Sequence, residues 1–334
     1  MTDYFRPIPS CDPCRPEDAF TLAGGWCWFT RVEVMRRSGA SEIVAARDLP
    51  TEIIDRLTSA RADISGLSMD RPKIMGILNV TPDSFSDGGL FNAPSAALAQ
   101  ARAMQDAGAD IIDVGGESTR PGAKEIAVDE EIGRTAPVIG SIRAGSDIPI
   151  SIDTRKSMVA RAAIGAGASM VNDVAAFTFD PAIAGITADS GLPVCLMHAQ
   201  GDPQTMQNDP QYEDVVLDIY DFLEERISVA EAAGISRDRI VVDPGIGFGK
   251  TLQHNVTLLR HLSIYHTLGC PILLGASRKK FIGVIGDAED ARDRMPGSIA
   301  VALHGVAQGV QILRVHDTKE TRQALSLHMG LNKA

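Results

Sequence analysis

Residues 148–174 read IPISIDTRKSMVARAAIGAGASMVNDV, and they contain the unit on which the fold turns. A short β-branched run, Ile148–Asp153, ends in a carboxylate. An alanine-rich segment with helical spacing follows, and then a second run, Met170–Val174, which carries Asn172 and Asp173 at its end. Strand, helix and strand in that order make a parallel pair joined by a crossover. The same rhythm extends outward in both directions through Ile74–Val80, Asp110–Gly115, Pro193–His198, Arg239–Pro244, Pro271–Ser277 and Gln311–His316. Helical segments such as Ala96 to Ala107 and Val215 to Ala233 lie between the runs. Strands alternating with helices predict a parallel sheet, and eight such units favour closure into a (β/α)8 TIM barrel.

Each run closes on a polar residue: Asn79, Asp113, Asp153, Asn172 with Asp173, His198, Asp243, Ser277, and Arg314 with His316. A buried strand has no structural need of a carboxylate at its end, and burying one uncompensated is costly. In a barrel the C-terminal ends of all strands converge on one face, where active sites are built. Each residue singly has a plain alternative, an N-cap for the next helix, and this applies above all to Asp113 and Asp173. As a set they predict a polar ring around one pocket.

The chain has 334 residues, 44% hydrophobic and 22% charged, enough to bury a large core. Its 31 glycines suit many tight turns, and its 5% aromatic content does not suit a base-stacking platform. A net charge of −11 argues against nucleic acid or an anionic membrane surface as partner. No apolar stretch approaches the roughly 18–20 residues that span a bilayer, and MTDYFRPIPS lacks a signal-peptide core. The expectation is a cytoplasmic protein acting on small molecules.

Residues 1–70 differ from the rest, mixing proline-rich and charged stretches with an aromatic β-prone run, Trp26–Thr30. They are read as an N-terminal extension, a small α+β appendage of no legible function, ahead of a catalytic barrel at 71–334. Cys11 and Cys14 have a metal-knuckle spacing. A structural zinc site wants four ligands, however, and no histidine precedes His198, while Cys27 is the only other thiol nearby. Reduced thiols are the expectation for all five cysteines.

Two connections are long and polar, as functional loops are. Asn79–Gly89 follows the first barrel run, and Gly115–Gly122 presents Thr119 and Arg120 after the second. With NVTPDSFSDGG, GGESTRPGA, DPGIGFGK, SRKKFIG and RVHD in this order, the chain from about Pro72 to Leu331 resembles the dihydropteroate synthases of the pterin-binding family. Ile246 stands where some members carry phenylalanine, and the N-terminal extension lies outside the resemblance.

The resemblance implies a transferase of folate biosynthesis, a sulfonamide target. It would join 6-hydroxymethyl-7,8-dihydropterin diphosphate to p-aminobenzoate, giving dihydropteroate and pyrophosphate. On that reading Asp153, Asp243 and Lys279 are catalytic. Asp153, Asn172, Asp243 and Lys279 read the pterin edge, with Met197 and Phe248 in apolar contact. Thr119, Arg314 and His316 take the diphosphate, while Thr119, Arg120 and Ser277, with Arg278 nearby, take p-aminobenzoate. Asn79 touches Mg2+, the implied cofactor, with diphosphate and water completing its shell. A homodimer is implied by the resemblance alone. A cobalamin-dependent methyltransferase barrel would share the pterin-edge residues but have no use for Ser277, Lys279, Arg314 and His316. A non-catalytic homologue should have lost the charged residues that this chain keeps.

Overall fold

In the extension, residues 31–35 read RVEVM, with Val32 and Val34 buried and Arg31 exposed. That period of two folds the segment as a strand with one face covered. The computed structural model describes residues 2–81, 93–118, 123–201 and 205–332. It places β1 (Tyr4–Pro7), β4 (Arg31–Met35) and β5 (Glu42–Ala45) in an antiparallel sheet of order β1-β4-β5. β2 (Phe20–Thr21) pairs with β3 (Trp28–Phe29), and α1 (Thr51–Thr58) completes an α+β appendage.

The barrel strands are β6 (Lys73–Asn79), β7 (Ile111–Gly115), β8 (Ile150–Asp153), β9 (Met170–Asp173), β10 (Val194–Met197), β11 (Ile240–Asp243), β12 (Leu273–Leu274) and β13 (Ile312–Val315). All neighbours pair in parallel in the order β11-β10-β9-β8-β7-β6-β13-β12, and a parallel bridge from Val242 to Ile272 closes the cylinder. The helices α2 (Ala93–Asp106), α3 (Val128–Arg143), α4 (Ser157–Ala166), α5 (Ala182–Ser190), α6 (Val215–Ala232), α7 (Leu252–Arg260), α8 (Lys280–Ile285), α9 (Met295–Ala307) and α10 (Thr318–Leu331) fill the crossovers. No helix among the described residues is long and apolar enough to cross a membrane.

The expected run Pro271–Ser277 yields only a two-residue ladder. Beyond Leu274 the hydroxyl of Ser277 accepts the amide of His316 at 3.2 Å, so a side chain replaces the main-chain pairing between β12 and β13.

Alternation sorts the barrel interior into layers. Met75, Ile111, Met170, Cys195, Val241, Leu273 and Ile312 form one buried apolar cluster, joined by Ile64 and Met69 from the segment that links appendage to barrel. These two residues plug the base, and Ser65 is tied there through its hydroxyl to the carbonyl of Ser169. Two residues further along, on six of the eight strands, the same face carries Asp113, Asp153, Asn172, Met197, Asp243 and Arg314. The floor of the barrel is apolar and its upper half is charged.

The appendage is pinned to the outside of the wall. The hydroxyl of Tyr4 donates to Asp221, Arg37 pairs with Asp218 and Asp221 of α6, and the Trp26 indole donates to the carbonyl of Val306. Ser263 donates to the carbonyl of Pro7, and Arg61 to that of His266.

Because Ile64 is fully buried in the base plug, Ile64→Ala should destabilise the protein by about 2–5 kcal/mol through lost transfer energy and a cavity. Urea denaturation measures this. Unchanged Michaelis constants in the folded variant would accompany it, since the base lies at the opposite end from the strand C-termini.

Candidate active site

The guanidinium of Arg314 lies across the upper barrel layer. Its Nε donates to Asp113 Oδ2 at 2.6 Å and its Nη2 to Asp153 Oδ2 at 2.6 Å. Asn172 Nδ2 is 3.3 Å from the same Asp113 oxygen. Asp113 and Asp153 are buried, so this pairing keeps two carboxylates from facing each other unneutralised. It does not satisfy both fully: Asp153 Oδ1 is buried and has no hydrogen-bond partner among the described residues. Burial, opposed by Arg314 and reinforced by Asp113, raises the Asp153 carboxyl to about 7.

Opposite this trio stands Asp243, the last residue of β11. Its Oδ1 accepts the amide of Gly245 at 2.7 Å, and burial raises its carboxyl while Lys279 opposes the shift. Lys279, at the N-cap of α8, donates to the carbonyl of Ile246 and holds its Nζ 4.2 Å from the Phe248 ring centroid. Burial lowers its ammonium to about 7, against the pull of Asp243. Met197 is buried at the end of β10, while Phe248 is half-buried in the turn after β11.

At the rim, Ser277 Oγ meets His316 Nδ1 at 3.0 Å. Asn79, half-buried at the end of β6, and Asp153 flank Gly115: Asn79 Oδ1 and Asp153 Oδ2 lie 3.6 and 3.7 Å from the position a Cβ there would take. Arg278 is engaged by the Asp317 carboxylate, in a turn with φ +57. Thr119 and Arg120 lie outside the described residues.

Two residues expected in the polar ring face away from it. His198 follows inward-facing Met197 and so points outward, where Nδ1 is 2.9 Å from Lys250 Nζ and the ring packs edge-on against Phe222. Burial and Lys250 push its imidazole well below the usual range. Asp173 likewise follows inward Asn172, and accepts the amides of Ala175 and Phe177 at 2.8 and 2.7 Å. It serves the following turn, which is the capping alternative.

A second charged cluster was not anticipated. Glu117 receives Arg155 Nε at 3.1 Å and Lys156 Nζ at 2.9 Å, and Lys156 also reaches Glu131 at 2.9 Å. Thr154 donates to Glu131 at 2.7 Å, and Arg155 stacks over Phe179. These buried ions brace the chain on either side of the 119–122 segment. The sequence signal was three consecutive polar residues, Thr154–Lys156, directly after a strand.

A sequence profile of pterin binding enzymes matches residues 75–316. The chain belongs to that family. Its relatives there include the dihydropteroate synthase of Synechocystis, 48% identical over 76% of this chain and 88% of its own length, and that of Escherichia coli, 46% identical over 78% and 92%. Among solved structures, a Xanthomonas albilineans dihydropteroate synthase with 4-aminobenzoic acid superposes with a TM-score of 0.77 at 45% identity, covering 82% of this chain and 98% of that one. A Yersinia pestis dihydropteroate synthase with a sulfonamide drug also gives 0.77, at 44% identity over 82% and 100%. Within the family the chain therefore groups with the dihydropteroate synthases, transferases of folate biosynthesis, as its motifs implied.

The raised Asp153 carboxyl sets a stability test. A group that ionises near 7 when folded and near 3.8 when unfolded favours folding while protonated, and this contribution is lost as pH rises between those values. The melting-temperature difference between Asp153→Asn and the parent should therefore move in favour of the variant from about pH 5 to about pH 8. A difference independent of pH would show that Asp153 is ionised throughout.

Proposed function

We propose that the charged upper layer of the barrel is the catalytic centre of a dihydropteroate synthase. The reaction condenses 6-hydroxymethyl-7,8-dihydropterin diphosphate with p-aminobenzoate to give 7,8-dihydropteroate and pyrophosphate. The observation that carries the residue assignment is the Asp113–Arg314–Asp153 bridge with one Asp153 oxygen unpartnered among the described residues, facing Asp243 and Lys279 across the barrel.

A pterin presents a 2-amino group, a ring N–H and a 4-oxo group along one edge. Asp243 accepts from the 2-amino and N3 hydrogens, Asn172 pairs beside it, and Lys279 donates to the 4-oxo group and N5. Lys279 can leave the Ile246 carbonyl for this, since a bound acceptor replaces the one it gives up. Phe248 and Met197 supply apolar contact with the ring.

The C–O bond to diphosphate breaks, leaving a methylene cation delocalised into the dihydropterin. Asp153 and Asp243 stabilise that cation from fixed positions without reorganising. The arylamine nitrogen then bonds to the methylene carbon and loses its proton. Arg314 on β13 and His316, the residue just past its end, line the departing pyrophosphate with Thr119. Ser277 lies beside His316 and takes the p-aminobenzoate carboxylate with Thr119 and Arg120.

The donor set suits Mg2+ carried in by the substrate. Asn79 offers one neutral oxygen, beside an Asp153 oxygen that Arg314 holds. No cluster of three histidine, cysteine, aspartate or glutamate ligands occurs among the described residues. Asn79 would hold the ion only sparsely, with the substrate's diphosphate and water supplying its other ligands. When bound, the ion neutralises charge on the leaving pyrophosphate. Homodimeric assembly and cytoplasmic residence belong to the same proposal, on the ground of the family resemblance.

Pyrophosphate release, assayed with the pterin diphosphate in the presence and absence of p-aminobenzoate, tests the reaction itself. Failure to form 7,8-dihydropteroate together with pyrophosphate when both substrates are supplied would overturn it. Asp243→Asn keeps shape and removes charge, and should cost about 2–4 kcal/mol of transition-state stabilisation, or about 30- to 1000-fold in kcat/KM. A loss below about fivefold, roughly 1 kcal/mol, would make Asp243 structural. Chelation should abolish turnover, while calorimetry of Mg2+ with substrate-free protein should show weak binding. Tight stoichiometric binding there would contradict a substrate-borne metal.

A further inference from the structure

The appendage contains two cysteines in contact. Cys11 Sγ and Cys27 Sγ are 3.1 Å apart. Their backbones explain why. Ser10 and Trp28 form an antiparallel bridge in which each amide donates to the other's carbonyl, at 2.8 and 2.9 Å. Cys11 and Cys27 are the next residues along that ladder, so they occupy a non-hydrogen-bonded pair, whose Cα atoms are typically about 4.5 Å apart. That spacing falls within the range of about 4.4–6.8 Å that a disulfide requires. The two sulfurs already lie in contact across this pair. The register is fixed on both sides, because the Trp28 indole donates to the carbonyl of Asp12 at 2.8 Å and the Leu22 amide to that of Cys27 at 2.8 Å.

The two thiols are not equivalent. Cys11 is half-buried at the edge of the appendage, whereas Cys27 is buried with its Sγ 3.5 Å from the carbonyl of Val306. We propose that Cys11 and Cys27 form a reversible oxidation site, closed to a disulfide by a peroxide and reopened by thiol–disulfide exchange. Cys11 is the attacking sulfur. Its accessibility and the hydrogen bond from Cys27, which lowers the Cys11 thiol, both favour its thiolate. The Cys11 thiolate attacks hydrogen peroxide, the O–O bond breaks, and sulfenic acid forms as hydroxide leaves. The Cys27 sulfur then attacks Cys11, the S–O bond breaks, and water departs with the Cys27 proton. Two thiols and one peroxide give one disulfide and two waters. An external dithiol such as thioredoxin reverses the change.

Cys14, exposed and three residues from Cys11, is the competing partner. The test treats the full-length protein with hydrogen peroxide and then blocks remaining thiols with iodoacetamide. Intact mass and peptide mapping locate the bond. The expected product has lost two hydrogens, carries a Cys11–Cys27 linked peptide, melts higher than the reduced protein and returns to it with dithiothreitol. Cys14→Ser should give the same product. Cys27→Ala and Cys11→Ser should each abolish it, with circular dichroism confirming that both fold. A Cys11–Cys14 bond, or stepwise oxygen addition at Cys14 with Cys11 and Cys27 alkylatable, would overturn the assignment.

Discussion

The clamp of Arg314 between Asp113 and Asp153 is the interaction on which the rest of the site depends. A small barrel fills its interior with layers of side chains, and the layer at the base here is apolar. The next layer holds ionised groups at the same depth as hydrophobic neighbours, a placement that costs several kcal/mol per ion unless each charge is met. Arg314 meets two of them from β13, reaching over β6 to β7 and β8. Two separate carboxylates match a planar fork with several donors, which a lysine in its place could not reproduce. The carboxylates stay in excess: Asp113, Asp153 and Asp243 face Arg314 and Lys279. That imbalance, with Asp153 half-satisfied, is what a developing cation would relieve.

On the opposite wall the constraint is backbone clearance. A Cβ on Gly245 would lie 1.8 Å from the carbonyl oxygen of His198, and one on Gly247 would lie 2.9 Å from Lys279 Cδ; both glycines have positive φ. The DPGIGFGK turn therefore folds back over β10 and lies against the Lys279 stem, which puts the Ile246 carbonyl and the Phe248 ring at its ammonium. Lys250 closes the turn from behind, donating to the carbonyl of Phe248 at 2.9 Å and meeting His198. Burial drives its ammonium well below the ordinary range, and the neighbouring Lys279 adds to the shift.

The barrel was legible because each strand announces itself twice, by its β-branched run and by its polar end. The strand ends mislead only where neighbouring residues compete for the inward position, because the period of two sends one of each pair outward. Asn172 and Asp173 are adjacent, so one must face the pocket and the other the helices; the same holds for Met197 and His198. Counting from the apolar floor, Met170 to Asn172 and Cys195 to Met197, settles both in favour of the residue now seen inside. Asp113 shows the reverse case. Its carboxylate looked like a cap, and only the spatial approach of β13, about two hundred residues away, reveals it as the partner of Arg314. The Glu117 cluster was hidden for the same reason, since its cations come from the next βα connection.

The appendage was legible as a small α+β unit with one β-prone run and opaque as to purpose, and its position narrows what it can do. It sits against α6, residues 262–268 and the end of α9, with its linker under the base, so none of its described side chains reaches the upper layer. One close join is at the turn after α9. There a Cβ on Gly309 would lie 2.8 Å from His266 Nε2 and 3.0 Å from Leu22 Cδ2, and Trp26 and Cys27 bond the carbonyl of Val306. Five residues after Ala307 the chain enters β13, whose third residue is Arg314. A packed turn of this kind moves as a unit with what it touches. This short path joins the extension to the strand whose Arg314 bridges the two buried carboxylates, beside the separate joins at α6 and at the base plug.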